Sequence, residues 1–159
     1  DFGFNNKISN TPSLALGTSE VTLQELVTGY SKIASMGKDI KPNYINKIID
    51  CDGKILYENK IKNEYKYDSS TCYILTETMT NMFDNKLSIN ISVTGASLKS
   101  MLSQKYAGKS GSTNTDNWMI GYNNNLLLGI WCGYDDNRKL SSTEYKYAKN
   151  RFKRLSKSS

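Results

Sequence analysis

The sequence has 159 residues, of which 38% are hydrophobic and 23% are charged, so it is long enough to bury one modest core. It contains no histidine, which excludes serine–histidine and cysteine–histidine catalytic dyads and every imidazole metal site. The net charge of +6 permits an anionic partner but does not choose among nucleic acid, phospholipid and a wall polymer.

The cysteines give no sign of a metal site or a redox pair. Cys51, Cys72 and Cys132 lie far apart and form no C-x-x-C motif. No activating neighbour is visible in the sequence, so we expect all three side chains to be small buried hydrophobes.

The first predicted element is a helix over residues 21–36, where apolar residues recur at the spacing of a helical turn. Thr22 and Glu25 form a capping box at its start. Gly37 can adopt the left-handed conformation that ends a helix. The apolar stripe consists of Leu23, Leu26, Val27, Tyr30, Ile33 and Ala34.

A small hairpin and a second helix are predicted next. Apolar stretches at residues 44–49 and 54–57 flank an Asp-Gly pair that favours a tight reversal. The second helix is predicted to begin near Asp68 or Ser69. Residues 84–103 have no sustained period and are predicted to be irregular. The buried side of the second helix is predicted to carry Cys72, Leu75, Met79, Met82 and Phe83.

The last third of the chain is predicted to contain a sheet and a terminal helix. Residues 106–113, 117–122 and 126–134 have the composition of successive strands, and their short connections imply antiparallel order. A helix is predicted over residues 143–155. One face of that helix is predicted to pack on the sheet through Tyr145, Ala148, Phe152 and Leu155.

The segment from Ala107 to Asn114 reads AGKSGSTN and carries the candidate site. Two glycines weaken a strand unless another chain or a ligand must approach its backbone closely. At the edge of a sheet, such a strand can accept an extended peptide, and Lys109 with the neighbouring hydroxyls would suit a peptide's terminal carboxylate. Taken alone, the tripeptide is a weak signal that favours an ordinary edge lysine beside a bend.

The wider sequence resembles the C-terminal half of the penicillin-binding transpeptidase family at four places in the same order. The segments Pro12 to Thr22 and Ser69 to Met79 are similar to the family's corresponding segments. Ala107 to Asn114 resembles its Lys-[Thr/Ser]-Gly-[Thr/Ser]-Thr-Asn motif, and Gly129 to Arg138 resembles the strand and exit of its bifunctional class A members. Together these segments cover most of residues 11–140.

The resemblance implies an α/β (α+β) fold of the β-lactamase/transpeptidase type, with an antiparallel sheet flanked by helices. Residues 1–159 would then be the C-terminal portion of a single domain, carrying its last three strands and its C-terminal helix. The implied activity is peptidoglycan D,D-transpeptidation, in which an acyl group passes from a D-alanyl-D-alanine stem peptide through an acyl-enzyme to an amine. The resemblance implies Lys109 and Ser112 as catalytic residues, with the Ser112 N–H as half of an oxyanion hole. The implied substrate-binding residues are Lys109, Ser110, Gly111, Ser112 and Thr113.

The family's nucleophile belongs to a Ser-x-x-Lys motif, and a Ser-x-Asn motif follows it. Ser35 to Lys38 fits the first motif as a string, but it lies where the first predicted helix ends. Ser88 to Asn90 fits the second motif within the unpatterned stretch and is interpreted as a chance match. Thr115 to Asn117 follows the lysine strand and is in the wrong order. We therefore predict that the nucleophilic serine lies in an N-terminal remainder of the same domain and that this chain alone does not acylate.

Other functions stay open from the sequence. They are a related serine β-lactamase or D,D-carboxypeptidase, a non-catalytic β-lactam-binding or sensor module, and a basic nucleic-acid-binding domain using Lys146 to Lys157. No recognition motif supports the nucleic-acid reading, so we expect no nucleic-acid partner.

The resemblance also implies partners and a cellular location. The expected partners are peptidoglycan stem peptides, β-lactams and the N-terminal remainder of the domain, and no metal or organic cofactor is implied. The expected location is the extracytoplasmic face of the bacterial cell membrane. No apolar run in the sequence is long enough to cross a bilayer, so we expect a membrane anchor only outside this chain.

Overall fold

In a computed structural model, the chain is described over residues 2–5, 8, 10–60, 64–84, 86 and 93–157. Within these residues, helices and strands follow one another in the predicted order. The helices are α1 (Leu23–Ala34), α2 (Ser69–Thr80) and α3 (Tyr147–Leu155), with short 3₁₀ turns at Pro12–Leu16, Asn81–Phe83, Ala96–Met101 and Glu144–Lys146. The strands are β1 (Lys47–Ile49), β2 (Ile55–Glu58), β3 (Ala107–Ser112), β4 (Asp116–Tyr122) and β5 (Leu127–Gly133).

The C-terminal strands form an antiparallel sheet in the order β3-β4-β5. In its register, Ala107 lies opposite Tyr122 and Ser112 lies opposite Asn117. The three predicted strands are confirmed, and all of their ends agree with the observed ones to within one residue. Among the described residues, β3 is therefore one edge of this sheet and β5 is the other.

Helix α1 has the predicted capping box, and it is two residues shorter at each end than the predicted range 21–36. Glu25 N–H donates to Thr22 Oγ1 at 3.2 Å, and Thr22 N–H donates to Glu25 Oε2 at 2.9 Å, so the capping box is closed. Gly37 has a φ of 97°, and a Cβ there would lie 2.2 Å from the carbonyl oxygen of Tyr67. A glycine is therefore required where the chain leaves the helix.

The buried face of α1 differs from the predicted stripe. Leu23 is 36% exposed, whereas the Lys32 side chain is buried and pairs with Asp39 at 2.8 Å. The other residues of the predicted stripe, from Leu26 to Ala34, are only half-buried. The buried residues between them are Gly29 and Lys32. A charged residue reaches the interior here because its partner carboxylate accompanies it.

The hairpin and α2 are also confirmed, with one correction. Strands β1 and β2 pair antiparallel, and Asp68 caps α2 by accepting the Thr71 N–H at 2.7 Å. Leu75 is 41% exposed, so its predicted place on the buried side is wrong. The inner face passes instead through Thr76, whose hydroxyl hydrogen-bonds the Tyr122 hydroxyl at 3.0 Å across the contact with β4.

The hydrophobic core lies between one face of the sheet and α3. The Phe152 ring is fully buried, stacks with Phe83 at 6.2 Å between centroids and meets the Tyr106 ring edge-on at 5.6 Å. A Cβ on Gly121 would lie 2.3 Å from the Phe152 ring, so this glycine allows the close approach of α3 to the sheet. Leu155, the last residue of α3, is 46% exposed, so it is less buried than Ala148 and Phe152 on the predicted inner face. The buried core consists of Phe83, Leu98, Tyr106, Met119, Ala148 and Phe152.

Two further predictions need correction or restriction. Cys51 is exposed because it lies in the turn between β1 and β2, whereas Cys72 is buried and Cys132 is half-buried. Residues 85 and 87–92 of the stretch predicted to be irregular lie outside the described residues. The described end of that stretch is a 3₁₀ helix that buries Leu98.

Candidate functional site

Strand β3 runs from a buried start to an accessible end. Ala107 and Gly108 are buried, and a Cβ on Gly108 would lie 2.9 Å from the ring of Phe83. From Lys109 to Ser112 the residues are exposed or half-buried. The second half of β3 therefore forms an open edge, which is the condition for adding another strand.

The pairing with β4 decides which backbone groups face this open edge. Thr113 N–H donates to the carbonyl oxygen of Asp116 at 2.9 Å, while Ser112 lies opposite Asn117. Hydrogen-bonded and non-hydrogen-bonded pairs alternate in an antiparallel ladder, so Ser112 and Asn117 form a non-hydrogen-bonded pair. The backbone N–H and C=O groups of Ser112 and Ser110 therefore point away from β4, toward the open edge.

Lys109 places a positive charge at the same edge. Its Nζ donates to the carbonyl oxygen of Ser110 at 2.7 Å, and its side chain is exposed. An ammonium group has three N–H donors, so two stay available for an anionic ligand. Among the residues that the structure describes, no carboxylate pairs with Lys109.

The Ser112 side chain at the end of β3 is exposed and is hydrogen-bonded from its buried side. Its cross-strand neighbour Asn117 is only 1% exposed, and Asn117 Nδ2 donates to Ser112 Oγ at 3.0 Å. The sequence analysis missed Asn117. Its position in alternation with the buried residues Met119 and Gly121 was the available signal, because residues two apart in a strand share a face.

The turn after β3 fixes the end of the open edge. The Thr113 hydroxyl accepts the N–H groups of Thr115 at 3.1 Å and Asp116 at 2.9 Å. Asp116 Oδ1 accepts the Trp131 Nε1–H at 2.8 Å, and the Tyr145 hydroxyl donates to the carbonyl oxygen of Thr113. Thr113 is thus engaged within the turn, and its contact with substrate stays a prediction.

A carboxylate organises the segment that leads from β5 to α3. Glu144 Oε2 accepts the Ser141 N–H at 2.7 Å, and Glu144 Oε1 accepts the Tyr134 hydroxyl. Hydrogen bonds lower the pKa of Glu144 to about 2, and those from Ser141 have the larger effect and that from Tyr134 the smaller. The ionised form is therefore favoured in the folded chain.

This pKa predicts an acid-dependent loss of stability. The folded-state pKa of Glu144 lies below its ordinary value of 4.5, so its stabilisation is present above pH 4.5 and is lost as the pH falls toward 2. We expect Glu144→Gln to reduce the free energy of unfolding near neutral pH and to match the wild type near pH 2. Denaturant unfolding over this pH range measures the difference. The exposed Glu20→Gln variant is the control, and a pH-independent deficit of Glu144→Gln would contradict the assignment.

The structure supports the rejection of Ser35 as a nucleophile. Ser35 is the C-cap of α1, and Lys38 follows the positive-φ residue Met36 and forms a β-bridge with Tyr65. The serine and the lysine therefore do not share a helical turn, which a Ser-x-x-Lys pair requires. The Ser88–Asn90 match lies outside the described residues.

The described part of the chain contains neither a candidate metal site nor a candidate membrane span. No group of three or more aspartate, glutamate or cysteine side chains there is placed to hold a metal ion. No helix in these ranges combines the length and the apolar character needed to span a membrane.

The sequence of the chain is similar to those of known proteins. A family model described as the penicillin binding protein transpeptidase domain matches residues 3–156. Penicillin-binding protein 2D of Bacillus subtilis is 42% identical over 150 residues, which are 94% of this chain and 22% of that protein. Penicillin-binding protein 1A of Aquifex aeolicus is 34% identical over 130 residues, which are 80% of this chain and 17% of that protein. The chain thus spans about a fifth of the length of these curated relatives.

The fold of the chain is similar to that of a solved penicillin-binding protein. The structure of the penicillin-binding protein PonA1 from Mycobacterium tuberculosis aligns with a TM-score of 0.68 at 20% identity. The alignment covers 82% of this chain and 34% of that one. The predicted mixed fold, with an antiparallel sheet flanked by helices, is confirmed.

Proposed function

Because this chain belongs to the penicillin binding protein transpeptidase domain family, we propose that it supplies the substrate-binding edge of a peptidoglycan D,D-transpeptidase. The observation that carries the proposal is the open half of β3, which presents outward backbone groups, the hydroxyls of Ser110 and Ser112 and the Lys109 ammonium on one exposed segment. The relatives named 1A and 2D support the assignment to class A.

Peptide binding follows from the chemistry of this edge. A D-alanyl-D-alanine stem peptide lies along β3 and bonds to the outward N–H and C=O groups as an added strand. The ammonium of Lys109 and the hydroxyls of Ser110 and Ser112 hold its terminal carboxylate, with Gly111 leaving room for the peptide. A β-lactam carries a carboxylate beside its reactive carbonyl and occupies the same edge.

Acyl transfer needs a nucleophile that we place in the N-terminal remainder of the domain. A serine hydroxyl there attacks the carbonyl carbon between the two D-alanines, and the C–N bond breaks to release D-alanine. The Ser112 N–H donates to the oxyanion that forms, a contribution of about 3 kcal/mol for one donor. An amine of a second stem peptide then attacks the ester, restores the serine and completes the cross-link.

We further propose that residues 1–159 are the C-terminal portion of a single transpeptidase domain. Two features support this: β5 has an unpaired outer edge among the described residues, and α2 exposes Tyr73, Ile74 and Leu75 at 56%, 64% and 41%. An N-terminal remainder that supplies further strands and helices would cover both surfaces. The whole enzyme then acts on stem peptides at the extracytoplasmic face of the membrane, through an anchor outside this chain.

Labelling with a fluorescent penicillin tests the proposal. We expect a stable covalent adduct on the full-length protein and none on this chain alone, because the chain lacks the nucleophile. Unlabelled penicillin added first is the control for specific acylation. An adduct on this chain alone would overturn the split site, and an unlabelled full-length protein would overturn the transpeptidase proposal.

Product analysis with the same full-length protein separates the related activities. A cross-linked product from stem peptides and an amine acceptor is expected. Released D-alanine without cross-linking would indicate a D,D-carboxypeptidase, and rapid β-lactam hydrolysis would indicate a β-lactamase. Stable acylation without any product would indicate a sensor module.

A further inference from the structure

Asn117 is an unusual residue for the buried face of β4. Its side chain is 1% exposed, and its neighbour on that face, Met119, is fully buried. Its Nδ2 bonds to Ser112 Oγ, whereas its Oδ1 is buried and has no hydrogen-bond partner among the described residues. A buried acceptor without a partner costs free energy that an apolar side chain would avoid. Stability therefore does not explain an asparagine at this position, and its bond to Ser112 is the remaining role.

The bond to Asn117 determines what the Ser112 hydroxyl can offer. A serine hydroxyl has one proton to donate and two lone pairs to accept with. Asn117 Nδ2 occupies one lone pair from the buried side, at 3.0 Å. No acceptor within the described part of the chain receives the Ser112 proton, and the residue is exposed. The proton is therefore available on the open side of β3 to a ligand or to solvent.

We propose that Asn117 is a positioning residue that holds the Ser112 hydroxyl as a hydrogen-bond donor to the carboxylate of the bound substrate or β-lactam. This inference rests on the proposed function of the β3 edge. Asn117 itself is buried, so it acts only through Ser112. A carboxylate only accepts hydrogen bonds. A hydroxyl whose proton points outward therefore binds it, whereas a hydroxyl whose proton points inward presents its oxygen lone pairs and repels it.

The expected effects separate this role from a structural one. Without Asn117, the Ser112 hydroxyl can rotate among about three staggered positions, so the rate of acylation by a penicillin is expected to fall about threefold. Removal of the hydroxyl by Ser112→Ala removes a charge-assisted hydrogen bond and is expected to cost about tenfold. Neither change should slow the reaction of the penicillin methyl ester as much, because the ester bears no negative charge.

A double-mutant cycle in the full-length protein tests the inference. Second-order acylation rates are measured with a penicillin and with its methyl ester for the wild type, Asn117→Leu, Ser112→Ala and the double variant. Asn117→Leu is close in shape to asparagine, and Asn117→Val serves as a second variant that suits a strand. We expect Asn117→Leu to slow the penicillin reaction only where Ser112 is present, and not to lower the melting temperature.

Each result has a defined meaning. The positioning role would be overturned if the rate losses of the two single variants multiply in the double variant, or if the acid and the ester lose the same factor in rate. Either result would leave the transpeptidase proposal intact. An unreactive wild type would overturn both. The role would be established if Asn117→Leu and Asn117→Val both slow the penicillin reaction and neither slows it further when Ser112 is already alanine.

Discussion

Replacement of Ser112 by proline is expected to slow acylation of the full-length protein by a penicillin about a hundred- to a thousandfold, because one oxyanion donor is lost. The alternation of the β3–β4 ladder directs the Ser112 N–H outward, so proline removes no hydrogen bond to β4. Proline is tolerated on an edge strand when its missing N–H faces the open side. Acylation rates with a fluorescent penicillin measure the effect.

Ser112→Ala is the matched control for this prediction. It removes the hydroxyl and keeps the backbone N–H, so the further loss in Ser112→Pro isolates the oxyanion donor. The two variants are compared only if their melting temperatures agree. A proline variant that reacts as fast as the alanine variant would show that the Ser112 N–H has no part in the reaction.

The sheet could be predicted from the sequence because local signals agree there. Short connections allow only antiparallel order, and apolar residues mark β4 and β5. The two glycines around Lys109 and Ser110 indicate from the sequence alone that a ligand can approach this strand closely. Capping residues likewise fixed the start of α1, since Thr22 and Glu25 act within one helical turn.

Burial could not be predicted equally well, because it depends on what covers each face. Leu75 and Cys51 have apolar character but are exposed. Lys32 is buried because Asp39 accompanies it, a pairing that no helical pattern contains. An apolar pattern gives the side that prefers burial, and the tertiary structure decides whether it is buried.

The details of the site depend on register. A shift of one residue between β3 and β4 would turn Ser112 away from Asn117 and direct its N–H into the ladder. The sequence places Lys109, Ser110 and Ser112 in one strand but does not contain this register. For the same reason, the engagement of the Thr113 hydroxyl in the turn could not be foreseen.

Replacement of Lys109 by glutamine is expected to slow acylation by a penicillin about ten- to a hundredfold, because hydrogen bonds from an ammonium to the substrate carboxylate are lost. Glutamine removes the charge and is one bond shorter than lysine. The methyl ester should lose much less, because it has no negative charge for the ammonium to pair with. Rates for the acid and the ester over a range of salt concentrations measure this, since an exposed charge is screened by salt.

Lys105→Gln is the control that distinguishes a direct contact between Lys109 and the substrate carboxylate from the long-range effect of the protein's net charge. Lys105 lies on the segment before β3, and its Nζ pairs with Glu77 at 2.8 Å, so it is not available to a ligand at the open edge. Both variants lower the net charge by one unit, and their long-range effects on association should be similar. Equal losses for Lys109→Gln and Lys105→Gln would contradict a direct contact, whereas a loss confined to Lys109→Gln is expected because only its ammonium has donors free at the edge of β3.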